Sequence, residues 1–122
     1  MELKVLPYAL SVCKVSSPAA LDPQGEFWFA ARTDEEISLV CPTAAVPAGT
    51  THREDGWRGF RIQGTLDFAL VGILSRISTL LADAGIGLFA VSTYNTDYIL
   101  VKAEALGRAL AVLRAAGYTV EE

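Results

Sequence analysis

The side chains that carry covalent and metal chemistry are scarce in this sequence. It has one histidine, His52, and two cysteines, Cys13 and Cys41. A closed metal site needs several such ligands at short spacing, and these three are widely separated, so no metal is expected. The same scarcity leaves no nucleophile beside a base and an orienting partner, so neither an enzyme nor a cofactor is expected. Both cysteines sit in apolar runs, Ser11-Val12-Cys13 and Leu39-Val40-Cys41, the setting of buried reduced thiols. Basic charge is also short. Ten Lys and Arg stand against 14 Asp and Glu, a net charge of -4, so a phosphate backbone meets no basic footprint. The longest mainly apolar stretch, around Ile86–Val91, falls well below the roughly 20 residues a membrane helix needs. Met1-Glu2-Leu3-Lys4 lacks the basic-then-apolar layout of a signal peptide, and a cytoplasmic location is expected.

What is present is globular. The 122 residues are 52% apolar and 20% charged, enough for one domain or two very small ones with a real core. Residues 1–64 carry short β-prone runs, Tyr8–Val15, Phe27–Arg32, Ile37–Cys41 and Trp57–Gln63, separated by Pro- and Gly-punctuated turns. Thr33-Asp34-Glu35-Glu36 has the length of a tight strand connection, and His52-Arg53-Glu54-Asp55 reads as a polar loop before Trp57. No segment in this half carries a helical stripe of three turns.

The other half is more regular. Leu70, Ile73, Leu74, Ile77, Leu80, Leu81 and Ala84 form one face of a helix, with Ser75, Arg76, Ser78, Thr79 and Asp83 turned to water. Gly85 stops it, because glycine enters the left-handed conformation at little cost. A second stripe, Leu106, Leu110 and Leu113, predicts a helix from about Ala103 to Ala116, ended by Gly117. Strands are expected at Ile86–Thr93, Tyr98–Lys102 and Tyr118–Val120, with a turn at Thr93-Tyr94-Asn95-Thr96-Asp97. Leu81-Ala82-Asp83-Ala84-Gly85-Ile86 and Leu113-Arg114-Ala115-Ala116-Gly117-Tyr118 echo each other 32 positions apart, both helix ends feeding a strand. With Trp57–Gln63 in front, the order is βαββαβ. That is an α+β, ferredoxin-like unit with both helices on one face of an antiparallel sheet.

Phe60-Arg61-Ile62-Gln63-Gly64, a loop Thr65–Val71, and Gly72 opening a helix that ends at Gly85-Ile86 resemble the ACT domain. Phe89–Val101 is similar to that family's ligand-side hairpin. The likeness is strongest to stand-alone bacterial tandem ACT proteins, related to aspartokinase regulatory regions and to CASTOR-type arginine sensors. It covers residues 57–122 as a complete unit. Arg32–Cys41 resembles the strand pair of a reduced, mostly β ACT-like unit over residues 1–56. The resemblance implies a regulatory module that senses a small molecule, usually a free amino acid, at an interface between units, in a protein expected to be a homodimer.

An amino acid requires donors for its carboxylate, acceptors for its ammonium and a side-chain pocket. Helix starts supply donors, because their first N–H groups lack intrahelical partners. Gly72, with the N–H groups of Val71 and Ile73, is the candidate for close backbone contact, or Gly72 simply lets the helix pack on the sheet. Asp67 is an ammonium acceptor or a helix cap. Asp97, where the resemblance implies a ligand contact, and Asn95 also have a turn role open to them. Many ACT units carry proline before the helix glycine, whereas this chain has Val71, which keeps its N–H. The alternative to sensing is a dimerisation or scaffold module that has lost its ligand.

Overall fold

The computed structural model describes residues 1–22, 24–64 and 71–122. Eight strands and two helices follow in the order β1 (Glu2–Val5), β2 (Leu10–Val15), β3 (Phe29–Arg32), β4 (Ile37–Pro42), β5 (Thr50–Ile62), α1 (Ile73–Asp83), β6 (Phe89–Ser92), β7 (Asp97–Lys102), α2 (Leu106–Ala115) and β8 (Thr119–Glu121). They form two compact units: Met1–Pro7 with Arg58–Glu122, and Tyr8–Trp57. The fold is the expected α+β type. The sequence reading groups residues 1–56, whereas the structure places the first seven residues with the C-terminal unit.

In the larger unit the strand order is β6-β7-β5-β1-β8. This is the ferredoxin-like order with one addition. β1 lies between β5 and β8, antiparallel to β5 (Leu3↔Ile62, Val5↔Phe60) and parallel to β8 (Leu3↔Val120). The alternation Glu2-Leu3-Lys4-Val5 sends Leu3 and Val5 inward, where they join a core of Phe60, Ile62, Ile77, Leu81, Ile86, Ile99, Val101, Leu110 and Leu113, among others. Burying each such side chain stabilises the fold by about 1.5–3 kcal/mol.

Both helices lay their apolar stripe on this core. In α1, Ile77 and Leu81 are fully buried, with Ile73, Leu74 and Leu80 packed beside them. The helix begins at Ile73, after Gly72 at φ 80°, and Leu70 lies outside the described residues. In α2, Leu106, Ala109, Leu110 and Leu113 are buried, while the expected first turn, Ala103–Ala105, is 3-10. The two helix ends repeat one hydrogen-bonded stop. Ile86 N donates to Leu81 O at 2.9 Å and Tyr118 N to Leu113 O at 3.1 Å, around Gly85 (φ 74°) and Gly117 (φ 103°).

The smaller unit has strand order β3-β4-β2-β5, all antiparallel. Counting its strands from β2, this is the same ferredoxin-like order. The crossovers that are helices in the larger unit shrink here to 3-10 turns, Pro18–Ala20 and Thr43–Ala45. The hairpins of the two units correspond at a spacing of 60 residues. Phe29 pairs Val40 as Phe89 pairs Leu100, and Arg32 pairs Ile37 as Ser92 pairs Asp97. The turns close alike, Thr33 N to Glu36 O at 2.9 Å and Thr93 N to Thr96 O at 2.8 Å. The segment His52–Asp55 is strand rather than loop, for β5 pairs β2 through Lys14↔His52, Cys13↔Arg53 and Val12↔Glu54. Its polar composition reflects an exposed strand, and backbone pairing overrides it.

Candidate ligand site

Three of the residues read from the sequence as ligand contacts meet at one place. Val71, Gly72 and Ile73 line a cleft of about 360 Å³, together with Met1, Arg76, Ala116, Gly117 and Tyr118. The helix-strand junctions build it. The chain enters α1 through the left-handed Gly72 and leaves α2 through the left-handed Gly117, so the start of one helix faces the end of the other. All of the described lining residues belong to the larger unit.

Among the described residues, the start of α1 carries no side-chain cap and no acid in its first turn. The donor-rich, positive end of the helix dipole lies beside the cleft, which Gly72 and Ile73 line. Arg76 lies one turn on and bonds back to Gly72 O through its own N–H at 2.9 Å. Its Nη2 donates to Ala116 O at 3.2 Å, and its guanidinium carbon stands 5.9 Å from the centre of the Tyr118 ring, within cation–π range. Arg76 thus joins the first turn of α1 to the segment between α2 and β8.

The remaining expected contacts have other surroundings. Asn95 and Asp97 are not among the lining residues of this cleft. Both belong to the β6–β7 turn, which is strongly held. Thr96 is buried and donates its hydroxyl to Ile62 O at 2.7 Å, and the Asp97 carboxylate accepts from the Ser92 hydroxyl at 2.7 Å. The Asp97 carboxylate is thus bonded to a side chain across the hairpin, at the strand pair Ser92↔Asp97. Asp67 lies outside the described residues.

Sequence reasoning assigned Arg76 to water and read Gly117 only as a helix stop. The available signal was spacing: Arg76 follows Gly72 by four residues, one helical turn, and Tyr118 follows the second stop as Ile86 follows the first.

The smaller unit holds its own polar network and the two thiols. Ser11, fully buried, donates to Asp55 Oδ1 at 2.6 Å and shares a 2.9 Å bond with the Thr43 hydroxyl. The Ser11 hydroxyl and the Arg53 guanidinium hold the Asp55 carboxyl below its ordinary value. Cys13 and Cys41 are free and buried, as their apolar runs predict. Burial pushes both thiols up, Cys41 to about 11, so neither is a thiolate at neutral pH. Among the described residues no three His, Cys, Asp or Glu side chains gather as metal ligands, and no helix is long and apolar enough to cross a membrane.

Two small units with one ferredoxin-like strand order, one helical and one nearly helix-free, define a tandem α+β fold with a cleft at a helix start. Residues 52–115 match the family model described as the ACT domain, and the chain belongs to the ACT domain family. Among solved structures, protein Atu0741 from Agobacterium tumefaciens is 31% identical, with a TM-score of 0.85 over 98% of this chain and 90% of that one. VC0802 from Vibrio cholerae, a protein of unknown function, is 19% identical with a TM-score of 0.70 over 91% of this chain and 85% of that one. The regulatory subunit of aspartate kinase from Thermus thermophilus, in its ligand-free form, shares the fold at 11% identity, with a TM-score of 0.68 over 94% and 96% of the two chains. No curated protein matches the chain.

Proposed function

We propose that the protein is a small regulatory module that binds a free amino acid or a closely similar metabolite in the cleft beside Gly72. The observation that carries this reading is the cleft itself, at the helix start where the sequence expects backbone contact. Its volume, about 360 Å³, is at the lower end of the 300–1,000 Å³ typical of ligand pockets, the size for an amino acid rather than a nucleotide. Membership of the ACT family, whose members are regulatory modules that take small molecules, supports the same reading. The proposal assigns binding and no catalysis. Its setting is a cytoplasmic homodimer built from this chain, the smaller unit being a reduced ACT-like unit. Regulation follows if the ligand prefers one of two states of the chain or its assembly, a tenfold preference being worth about 1.4 kcal/mol.

Thermal unfolding in the presence of each of the twenty amino acids tests it. At least one is expected to raise the melting temperature, because a hundredfold excess over the dissociation constant stabilises the folded state by about 2.7 kcal/mol. No shift with any amino acid, together with a dimer mass that ignores added ligand, would establish the dimerisation or scaffold reading instead.

A further inference from the structure

Among the described residues that line the cleft beside Gly72, Arg76 is the one charged side chain. Its guanidinium is placed on two sides, by the Ala116 carbonyl at 3.2 Å and by the Tyr118 ring. Among the described residues no ion pair holds it, whereas Lys4, Arg53 and Arg114 all have carboxylate partners. A guanidinium has five N–H donors in a planar fork, and one bond to Ala116 leaves donors for both oxygens of a carboxylate. The other large side chains at the cleft are apolar: Met1, Val71, Ile73 and the Tyr118 ring. Met1, at 54% exposed, and Val71, at 90%, are two of the three large apolar side chains most open to water among the described residues. Among the described residues, two of the three most exposed large apolar side chains thus stand beside Arg76.

We propose that Arg76 is the carboxylate anchor of this cleft, and that the cleft selects small acids with an apolar side chain. The inference rests on the amino-acid reading above and deepens it. A ligand of this chemistry, a branched-chain or aromatic amino acid or the matching 2-oxo acid, places its carboxylate on the Arg76 fork. Its side chain covers Met1, Val71 and Ile73. A second carboxylate, as in aspartate, finds no second cation among the described lining residues, and the ammonium of a lysine side chain finds no acid there. Arg76 also ties the ligand to the segment between α2 and β8 through Ala116.

Isothermal titration of the full chain tests this with five probes: leucine, 4-methyl-2-oxopentanoate, 3-methylbutylamine, aspartate and lysine. Leucine or its oxo acid is expected to bind, and the two sources of the carboxylate are separated by which does so more tightly. The amine, which is leucine without its carboxylate, and the two charged amino acids are expected to bind at least about tenfold more weakly. Arg76→Gln is expected to weaken the bound acid by about tenfold or more and Arg76→Lys by less, both variants remaining folded with a modestly lower melting temperature through the lost Ala116 and Tyr118 contacts. Should Arg76→Gln fail to fold, Arg76→Lys carries the comparison, and unchanged affinity in it overturns the anchor. Undiminished binding in Arg76→Gln, or binding of the amine, aspartate or lysine as tight as that of leucine, overturns the inference while the amino-acid reading stands. So does binding confined to amino acids without an apolar side chain. No binding by these probes or by any of the twenty amino acids removes the amino-acid reading and the anchor together.

Discussion

The two units share a strand order and a hairpin, and they differ in what crosses the sheet. In the larger unit the crossovers contain α1 and α2, and among the described residues fourteen buried side chains form its core, from Leu3 to Tyr118. Among the described residues of the smaller unit each crossover has one 3-10 turn, and the corresponding cluster has four buried members, Cys13, Val15, Leu39 and Cys41. The β4 and β7 strands nevertheless show the same run of three buried residues, 39–41 and 99–101. Strand pairing and a modest apolar layer therefore suffice for the hairpin, whereas in the larger unit the helices add a second apolar layer, Ile77 and Leu81 from α1 with Leu106, Ala109, Leu110 and Leu113 from α2, and create the cleft. Where the larger unit has a cleft between the start of one crossover and the end of the other, the smaller one closes. Ser16 N reaches Gly49 O at 3.4 Å, and a Cβ on Gly49 would sit 3.3 Å from the Ala20 Cβ.

The sharpest way to break this contrast is to empty each core in turn. Phe60→Ala, at a site with no exposure, is expected to cost about 3–5 kcal/mol and to unfold the larger unit first. Leu39→Ala in the smaller cluster is expected to cost about 2–3 kcal/mol, because a core this thin collapses more readily around a void. Denaturant melts followed by hydrogen exchange would measure both. Equal losses, spread over the same amides, would mean that the units share one folding equilibrium and that their different cores do not matter.

A smaller effect separates the helix stops from the closed crossover. Gly85→Ala puts a side chain at φ 74° with no neighbour within 4 Å, so its expected cost of about 1–2 kcal/mol is purely one of backbone conformation. Gly49→Ala lacks a positive φ and meets only the Ala20 methyl, so its destabilisation should be smaller, read from the same melts. The reverse order would show that the smaller unit is the more tightly packed at its crossovers.

The smallest effect lies in the pH dependence of the smaller unit. Burial raises the Cys41 thiol from 9.0 to about 11, and Cys13 in the same direction. The stability tied to these protonated thiols is fully present below pH 9 and is lost as pH rises through the folded-state value near 11, since the unfolded chain releases those protons first. Denaturant midpoints between pH 8 and 11 should fall more steeply for the natural protein than for Cys41→Ala. Parallel curves would show that the thiol is not shielded.

Much of this was legible in local pattern. The stripes of α1 and α2, the glycine stops and the order βαββαβ follow from periodicity and from the backbone freedom of Gly85 and Gly117. The repeated helix end 32 residues apart marked two equivalent stops, and both form the same hydrogen bond. Other features carried weaker signals. Glu2–Val5 alternates correctly for a strand, but four residues at a terminus are ambiguous until β5 and β8 pair with them. His52–Asp55 looks like a loop because an exposed strand needs no apolar face. At the candidate site, Gly72 and its neighbours were readable because glycine before a helix has a restricted set of uses. Arg76 was not, because a charged residue on the polar face of a helix looks the same whether it faces water or the segment leaving another helix.

The order of apolar and polar residues alone determined which segments are helices, where they stop and that the chain makes an α+β fold, because those choices depend on neighbours within a few positions. Only the tertiary structure decided that the first strand completes the C-terminal unit, and that Gly72, Arg76 and Tyr118 surround one cleft. Those contacts join residues as far apart as 1 and 118, and such pairings are set by packing and hydrogen bonding between elements.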